Sequence, residues 1–241
     1  MYKQLLLVSL FVLMNCDADK SYQGTVPGFD GQSILIASGK SNTEAFLRKV
    51  EPTNTLKLND FMALSGQNSF LGDWDVVQVV EHLEVSHGEK NIKLTLYGHT
   101  DHGQVAWGYK LLDGKFLTEA DLEMSTDVII LGEHVAKTLF EDESPLSKSI
   151  LIGSIAYRVT AVVAEGEKNL FGDNPGDVGI VPISNLLRKI AEIDYLRAGK
   201  IELLNDENMD LKLEIVDLSL RDRHHLKPDE PDDFELKALG L

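Results

Sequence analysis

Two strand-type runs joined by a short turn restrict this chain more than any other feature. The first, Asp75 to Ser86, reads Val76-Val77-Gln78-Val79-Val80-Glu81-His82-Leu83-Glu84-Val85 in its interior and stops at His87-Gly88-Glu89-Lys90. The second, Asn91-Ile92-Lys93-Leu94-Thr95-Leu96-Tyr97, alternates apolar and polar residues, the period of a strand with one buried face. Runs joined in this way pair as an antiparallel hairpin.

Shorter elements surround the hairpin. Ser33 to Ser38, Asp127 to Leu131, Ile150 to Ile152, Tyr157 to Val163, Val178 to Val181, Lys200 to Leu204 and Phe234 to Leu236 read as strands. Leu58 to Leu64 reads as a helix capped by Asn59 or Asp60, Glu133 to Phe140 as a helix entered through Gly132, and residues 104–112 as a helical turn leading into Leu111-Leu112. Thr118-Glu119-Ala120-Asp121 has capping-box spacing. Asp113-Gly114 and Ser144-Pro145 read as turns. Ser184, after Pro182, is a candidate cap for a helix through Ile190. Asn208 to His225 reads as a longer helix with Leu211, Leu213, Ile215, Val216 and Leu218 toward the core. This order is not a strict βαβ repeat, so the fold class is α+β rather than doubly wound.

At 241 residues and 43% hydrophobic, the chain is long enough to bury most of its apolar surface without metals or disulfides. Its single cysteine, Cys16, excludes an intramolecular disulfide. The net charge of −16, from 39 acids against 23 bases, opposes sequence-independent binding to nucleic acid or to an anionic lipid surface.

Cys16 ends the apolar run Leu5 to Met14, which follows Lys3. A positive residue and a short apolar run make a secretory signal pattern. The run is too short to span a bilayer, which takes about twenty apolar residues. Ending on cysteine, it resembles a bacterial lipoprotein signal: Leu13 fits that pattern, whereas Met14 and Asn15 depart from it. The resemblance implies a signal peptide over 1–15, a lipidated Cys16, and a membrane anchor. Residues 16–32 then read as the lipidated cysteine and a flexible tether, rich in Gly, Pro and Asp and without an apolar period.

Several segments of the body follow one family's order. They are Ile34-Leu35-Ile36 with Gly39-Lys40; Gly108-Tyr109-Lys110-Leu111-Leu112-Asp113-Gly114-Lys115-Phe116 with Thr118-Glu119-Ala120-Asp121; and Val128-Ile129-Ile130-Leu131-Gly132 with Leu139-Phe140. Ser144 to Ile150, Tyr157 to Val163, Phe171-Gly172, Ile180-Val181-Pro182, Arg223-His224-His225 and Asp232-Asp233-Phe234-Glu235 complete the series. Together they resemble the periplasmic core domain of MacB/FtsX-type ABC transporter permeases, over roughly residues 33–238. Ser147 and Ala161 stand where that family has glycine. The resemblance implies two lobes: a porter-like α/β lobe from about 33–100 and 186–241, and an inserted β-rich lobe of about 101–185. It also implies a non-enzymatic, extracytoplasmic role as an accessory or interaction module. The expected partners are the membrane through the lipid anchor, an ABC transporter or adaptor protein, or an apolar cargo, and not nucleic acid.

Other motifs carry less. Gly39-Lys40-Ser41 lacks the glycine a phosphate-binding loop needs at Ile34. His99-Thr100-Asp101-His102 is the one pattern favouring an alternative, a metal-dependent hydrolase, but two histidines and a carboxylate are an incomplete set. His224 and His225 point to different helix faces and fit a helix dipole better than a shared metal. No catalytic residue, metal site or cofactor is assigned. The loop Glu165 to Asp177 is long and patternless, as functional loops often are. Leu170 and Phe171, apolar residues in that polar loop, are the candidate binding residues.

Overall fold

The computed structural model describes residues 32–39, 53–68, 70–205 and 207–239. The expected signal, Cys16 and nearly all of the tether lie outside the described residues, as do Lys40 and Ser41. In chain order the elements are β1 (Ser33–Ser38), α1 (Leu58–Gln67), β2 (Gly72–His87), β3 (Lys90–His99), α2 (Gly103–Ala106), β4 (Leu111–Gly114), α3 (Glu119–Glu123), β5 (Val128–Gly132) and α4 (Glu133–Phe140). Then follow β6 (Ser149–Ile152), β7 (Ile155–Val163), β8 (Val178–Pro182), α5 (Ile183–Asn185), β9 (Ala198–Leu203), α6 (Met209–Arg223) and β10 (Phe234–Leu239).

The strands run β10-β1-β9-β2-β3-β8-β5-β7-β4, with β6 bridging β2 and β7. In the first part every neighbouring pair is antiparallel. β1 and β2 therefore run parallel on either side of β9, and β9 and β10 run parallel on either side of β1. This is the split βαββαβ arrangement, with α1 and α6 as its crossover helices. All other strands lie in the sequence between β2 and β9. The mixed sheet with its helices makes the fold α+β.

β2 belongs to both parts. Gly72 to Val77 pair with β9, whereas Gln78 to His87 pair with β3, and Val85 and Ser86 also with β6. The expected hairpin forms, closing at His87↔Lys90. Its register slips between Val80 and Leu83, where His82 takes φ 58°. An extra residue there bends the strand and increases its twist.

Side-chain alternation sorts the apolar residues into separate cores. Ile34, Ile36 and Val76 face Phe61, Val216 and Leu220 beneath α1 and α6. Their neighbours Leu35, Ala37 and Val77 face the opposite way, toward Tyr97, Tyr109 and Ile130. Ile129 and Leu131 of β5 face a third cluster with Leu139 and Phe140 of α4.

Some local expectations fail for identifiable reasons. Lys57 occupies the cap of α1; Asp60 sits three residues inside and accepts from Lys57 N at 2.7 Å. Asp113-Gly114 is not a free turn but the end of β4, pairing with Val162 and Ala161. A Cβ on Gly114, which has φ +86°, would lie 2.1 Å from the Thr160 carbonyl oxygen. Ser184 lies inside α5, its hydroxyl donating to Leu122 O at 2.6 Å, and a π-helical turn (Leu186–Ile190) follows. On α6, Leu211 and Leu218 are exposed; the buried row is Met209, Lys212, Val216 and Leu220. That row keeps helical spacing, which the expected five residues do not.

Asp60 also closes the helical layer. Its carboxylate meets Arg223 Nε at 2.9 Å and His224 Nε2 at 3.2 Å, and His224 Nδ1 meets Asp233 at 2.7 Å. The hydrogen bond to Asp60, opposed by burial and reinforced by Asp233, raises the His224 pKa. Burial pushes the Asp60 pKa up, but bonds from His224, Lys57 N and Arg223 outweigh it and leave it lowered. The stabilisation from His224 is therefore full below its unfolded value of about 6.5 and lost as pH rises through the folded value. That from Asp60 is present above about 3.9 and lost as pH falls through its lower folded value. The loss of melting temperature in His224→Gln should be largest near pH 5–6 and shrink toward pH 9; a loss constant with pH would contradict this pairing.

The helices approach the sheet closely at Gly199, where an added Cβ would lie 2.1 Å from Phe61 Cζ. Gly199→Ala should cost about 1–3 kcal/mol by overpacking. The same change made in Phe61→Ala should cost clearly less, since the ring is gone. Denaturant titrations of the four chains measure the coupling, and strict additivity would refute the contact.

Candidate functional site

Where β2 passes from the first part of the sheet to the second, its apolar run carries a carboxylate, Asp75, directly opposite Lys200 of β9. Both side chains are inside the protein. Asp75 Oδ1 accepts from Thr100 N at 2.7 Å and Thr100 Oγ1 at 2.6 Å. Its Oδ2 accepts from Trp107 Nε1 at 2.5 Å and lies 2.7 Å from His99 Nδ1. The other nitrogen of that imidazole, Nε2, meets the Tyr109 hydroxyl at 3.1 Å. Lys200 Nζ donates to Ala106 O at 2.7 Å and pairs with Glu202. Burial lowers the Lys200 pKa, with Glu202 and Asp75 opposing. Burial, then Asp75, raises that of Tyr109. This polar knot joins β2, β3, β9 and α2.

The loop 165–177 covers the knot. Tyr97 donates its hydroxyl to Asp173 at 2.6 Å, and burial, then that bond, raises its pKa. Phe171 sets its ring 5.4 Å from Tyr97 and 6.0 Å from Trp107, with the Arg197 guanidinium 5.3 Å over it. Leu170 and Phe171, the sequence-derived binding candidates, are thus partly buried against the second cluster. The loop is ordered by its asparagines: Asn169 Oδ1 accepts from Phe171 N and Asp173 N, and Asn174 Oδ1 from Gly166 N and Gly176 N. Short polar side chains that bond nearby backbone N–H groups stabilise turns in this way.

The structure does not assemble the metal site considered for His99, Asp101 and His102. His99 is fully buried with both ring nitrogens engaged, while His102 is exposed. Among the described residues, the potential ligands that do converge are Glu133, His134 and Glu165, within 4.8 Å of one another. There too both imidazole nitrogens are used, by Asp177 at 2.9 Å and Glu165 at 3.1 Å. The Asp177 bond, opposed by desolvation, raises the His134 pKa. These carboxylates stand at the N-terminus of α4, whose dipole favours anions over cations. They clasp the loop to that helix.

His224 is likewise explained by Asp60 and Asp233 rather than by a helix dipole alone. Asp75, Trp107, Tyr109 and Lys200 were not singled out by sequence reasoning, although a carboxylate and an ammonium in apolar strands are a usable signal.

The profile of the MacB-like periplasmic core domain matches residues 8–211. The chain is 25% identical over 202 residues to the macrolide export ATP-binding/permease protein MacB of Aggregatibacter actinomycetemcomitans, covering 84% of this chain and 30% of that protein. It is 30% identical over 127 residues to the MacB of Chlorobaculum tepidum, covering 52% and 19%. The chain thus spans less than a third of the length of these curated relatives. The periplasmic region of MacB from Actinobacillus actinomycetemcomitans superposes with a TM-score of 0.72 at 23% identity, covering 87% of this chain and 89% of that one. The extracellular domain of the transporter YknZ from Gram-positive bacteria gives 0.65 at 18% identity, covering 86% and 100%.

The knot makes a specific demand on Asp75. Asp75→Asn places an amide donor among donors, and should cost about 3–5 kcal/mol, the usual penalty for breaking a buried charge network. Trp107 emission should shift as its indole N–H loses the carboxylate. A stability loss under 1 kcal/mol in urea titration would show that the knot is not held by this charge.

Proposed function

Because the chain belongs to the MacB-like periplasmic core domain family, we propose that it works outside the cytoplasm as a non-enzymatic interaction module, held at a membrane and serving an ABC transporter permease or its adaptor protein. The observation that carries this reading is the match of family and fold across the sheet and the strands set between β2 and β9. The chemistry agrees. The buried group around Asp75 is turned inward and bonded to itself, with both carboxylate oxygens of Asp75 and both ring nitrogens of His99 engaged inside the protein. Among the described residues, no helix is long and apolar enough to cross a membrane. Attachment is assigned to a lipid on Cys16.

The lobes are assigned as about 33–100 with 186–241, and about 101–185. Strand pairing supports an insertion but draws its edge earlier: Gly72 to Val77 pair with β9, whereas the rest of β2 and all of β3 pair with each other and with β6 and β8. The contact surface is assigned to the loop bearing Leu170 and Phe171, which stay partly exposed while the loop's backbone is fixed. A partner protein or an apolar cargo would meet these side chains there.

A photo-crosslinking residue at Leu170 in cells, followed by identification of the product, tests the reading. The expected adduct is an ABC permease or a periplasmic adaptor. Adducts only with unrelated soluble proteins, from a chain that fractionates with membranes, would overturn it. Cys16→Ser should move the protein to the soluble extracytoplasmic fraction; retention on membranes after signal cleavage would sink the anchor.

A further inference from the structure

At one end of the first sheet, two neighbouring turns present large apolar side chains to solvent. Phe70 is 52% and Leu204 68% exposed. The Leu204 N–H donates to Leu71 O at 3.1 Å, so the turn entering β2 and the turn leaving β9 are bonded side by side. Behind them is an apolar recess lined by Phe61, Leu64, Leu71, Trp74 and Ile201. Isolated exposed apolar residues need no explanation; two on bonded turns beside an apolar recess make a small apolar edge.

The chain's own course says what lies opposite. Leu203 N donates to Gln32 O at 3.0 Å, and Ser33 pairs with Glu202. Everything before Gln32, including Cys16 and the run Leu5 to Met14, therefore joins the domain beside Phe70 and Leu204. The residues from Asp17 to Gln32 reach at most about 55 Å fully extended. Along the chain, this end is the part of the domain closest to a membrane that holds Cys16. Asp73 and Glu207 are exposed at the same end. Their charge disfavours an anionic surface, so the contact is apolar in origin.

We propose that this end of the domain is a bilayer-contacting edge, in which Phe70 and Leu204 enter the interfacial layer of a zwitterionic lipid surface. The inference rests on the membrane-anchored reading above and adds to it an orientation. Aromatic and aliphatic side chains partition into that layer. Leu151 provides the internal contrast: it is exposed on β6, opposite Ser86, at the far end of β2 from Gly72.

The test adds one tryptophan at a time to the processed chain carrying its lipid on Cys16, as Phe70→Trp, Leu204→Trp or Leu151→Trp, in phosphatidylcholine vesicles carrying brominated acyl chains. Trp74 and Trp107 are common to all and are subtracted with the parent chain. The added tryptophan at 70 or 204 should be quenched at least about twofold more than the one at 151, with matching melting temperatures. Replacing a third of the lipid by phosphatidylglycerol should weaken the quenching. Chains that sediment with vesicles but show equal quenching at all three positions would overturn the edge and leave the anchor standing. Chains that fail to sediment would overturn both.

Discussion

The carboxylate of Asp75 is the constraint around which the two parts of this protein are arranged. A charge on a central strand, away from water, is tolerated only when its lone pairs are met by well-placed donors. Here the donors come from Thr100, His99 and Trp107, which follow or end the neighbouring strand. Meeting them obliges the chain after β3 to turn back over β2, which sets α2 in place. The placement of α2 in turn brings the Ala106 carbonyl to Lys200, the second buried charge. Matching two charges thereby fixes the position of one secondary-structure layer on another, which apolar contact alone specifies less sharply.

Much of the fold could be read from local pattern. The hairpin of β2 and β3, the Gly132 entry into α4 and the Thr118 cap of α3 all rest on signals within a few residues. Several of the failures share a cause, dependence on a partner distant in sequence. Ser184 looks like a cap until Leu122, 62 residues away, is seen to take its hydroxyl. Asp113-Gly114 looks like a free turn until β7 is placed beside it. On α6 the stripe was misjudged because Lys212 buries its stem while its ammonium reaches Asn205 at 2.6 Å and 2.7 Å. Snorkelling of that kind hides a core position behind a charged residue type. The polar knot was missed for the same reason: composition shows its members one at a time. The relation to a family came from ordered motifs spread over the body, a signal that periodicity cannot supply.

The loop 165–177, regular only in a 3-10 turn at Pro175–Asp177, shows how a segment with little regular hydrogen bonding still takes one conformation. Two asparagine side chains replace the missing ladder, and Phe171 adds contacts with three side chains below it. The clasp at His134 holds its far side to α4. Order in the loop is thus independent of the strands it connects, so its outer surface can vary in sequence without disturbing the knot beneath.

The unbroken backbone of β2 has a mechanical consequence. Its first residues are bonded into the sheet from which residues 1–31 depart, and its last into the hairpin and β6 at the opposite end. A pull at one end reaches the other through covalent bonds in tension, without loosening any packed surface on the way. Twisting is different: the irregular step between Val80 and Leu83 is where the ladder is weakest, so torsion concentrates there. One covalent run thus ties the tether-bearing sheet to the hairpin at the opposite end, with the bend of its ladder lying between them.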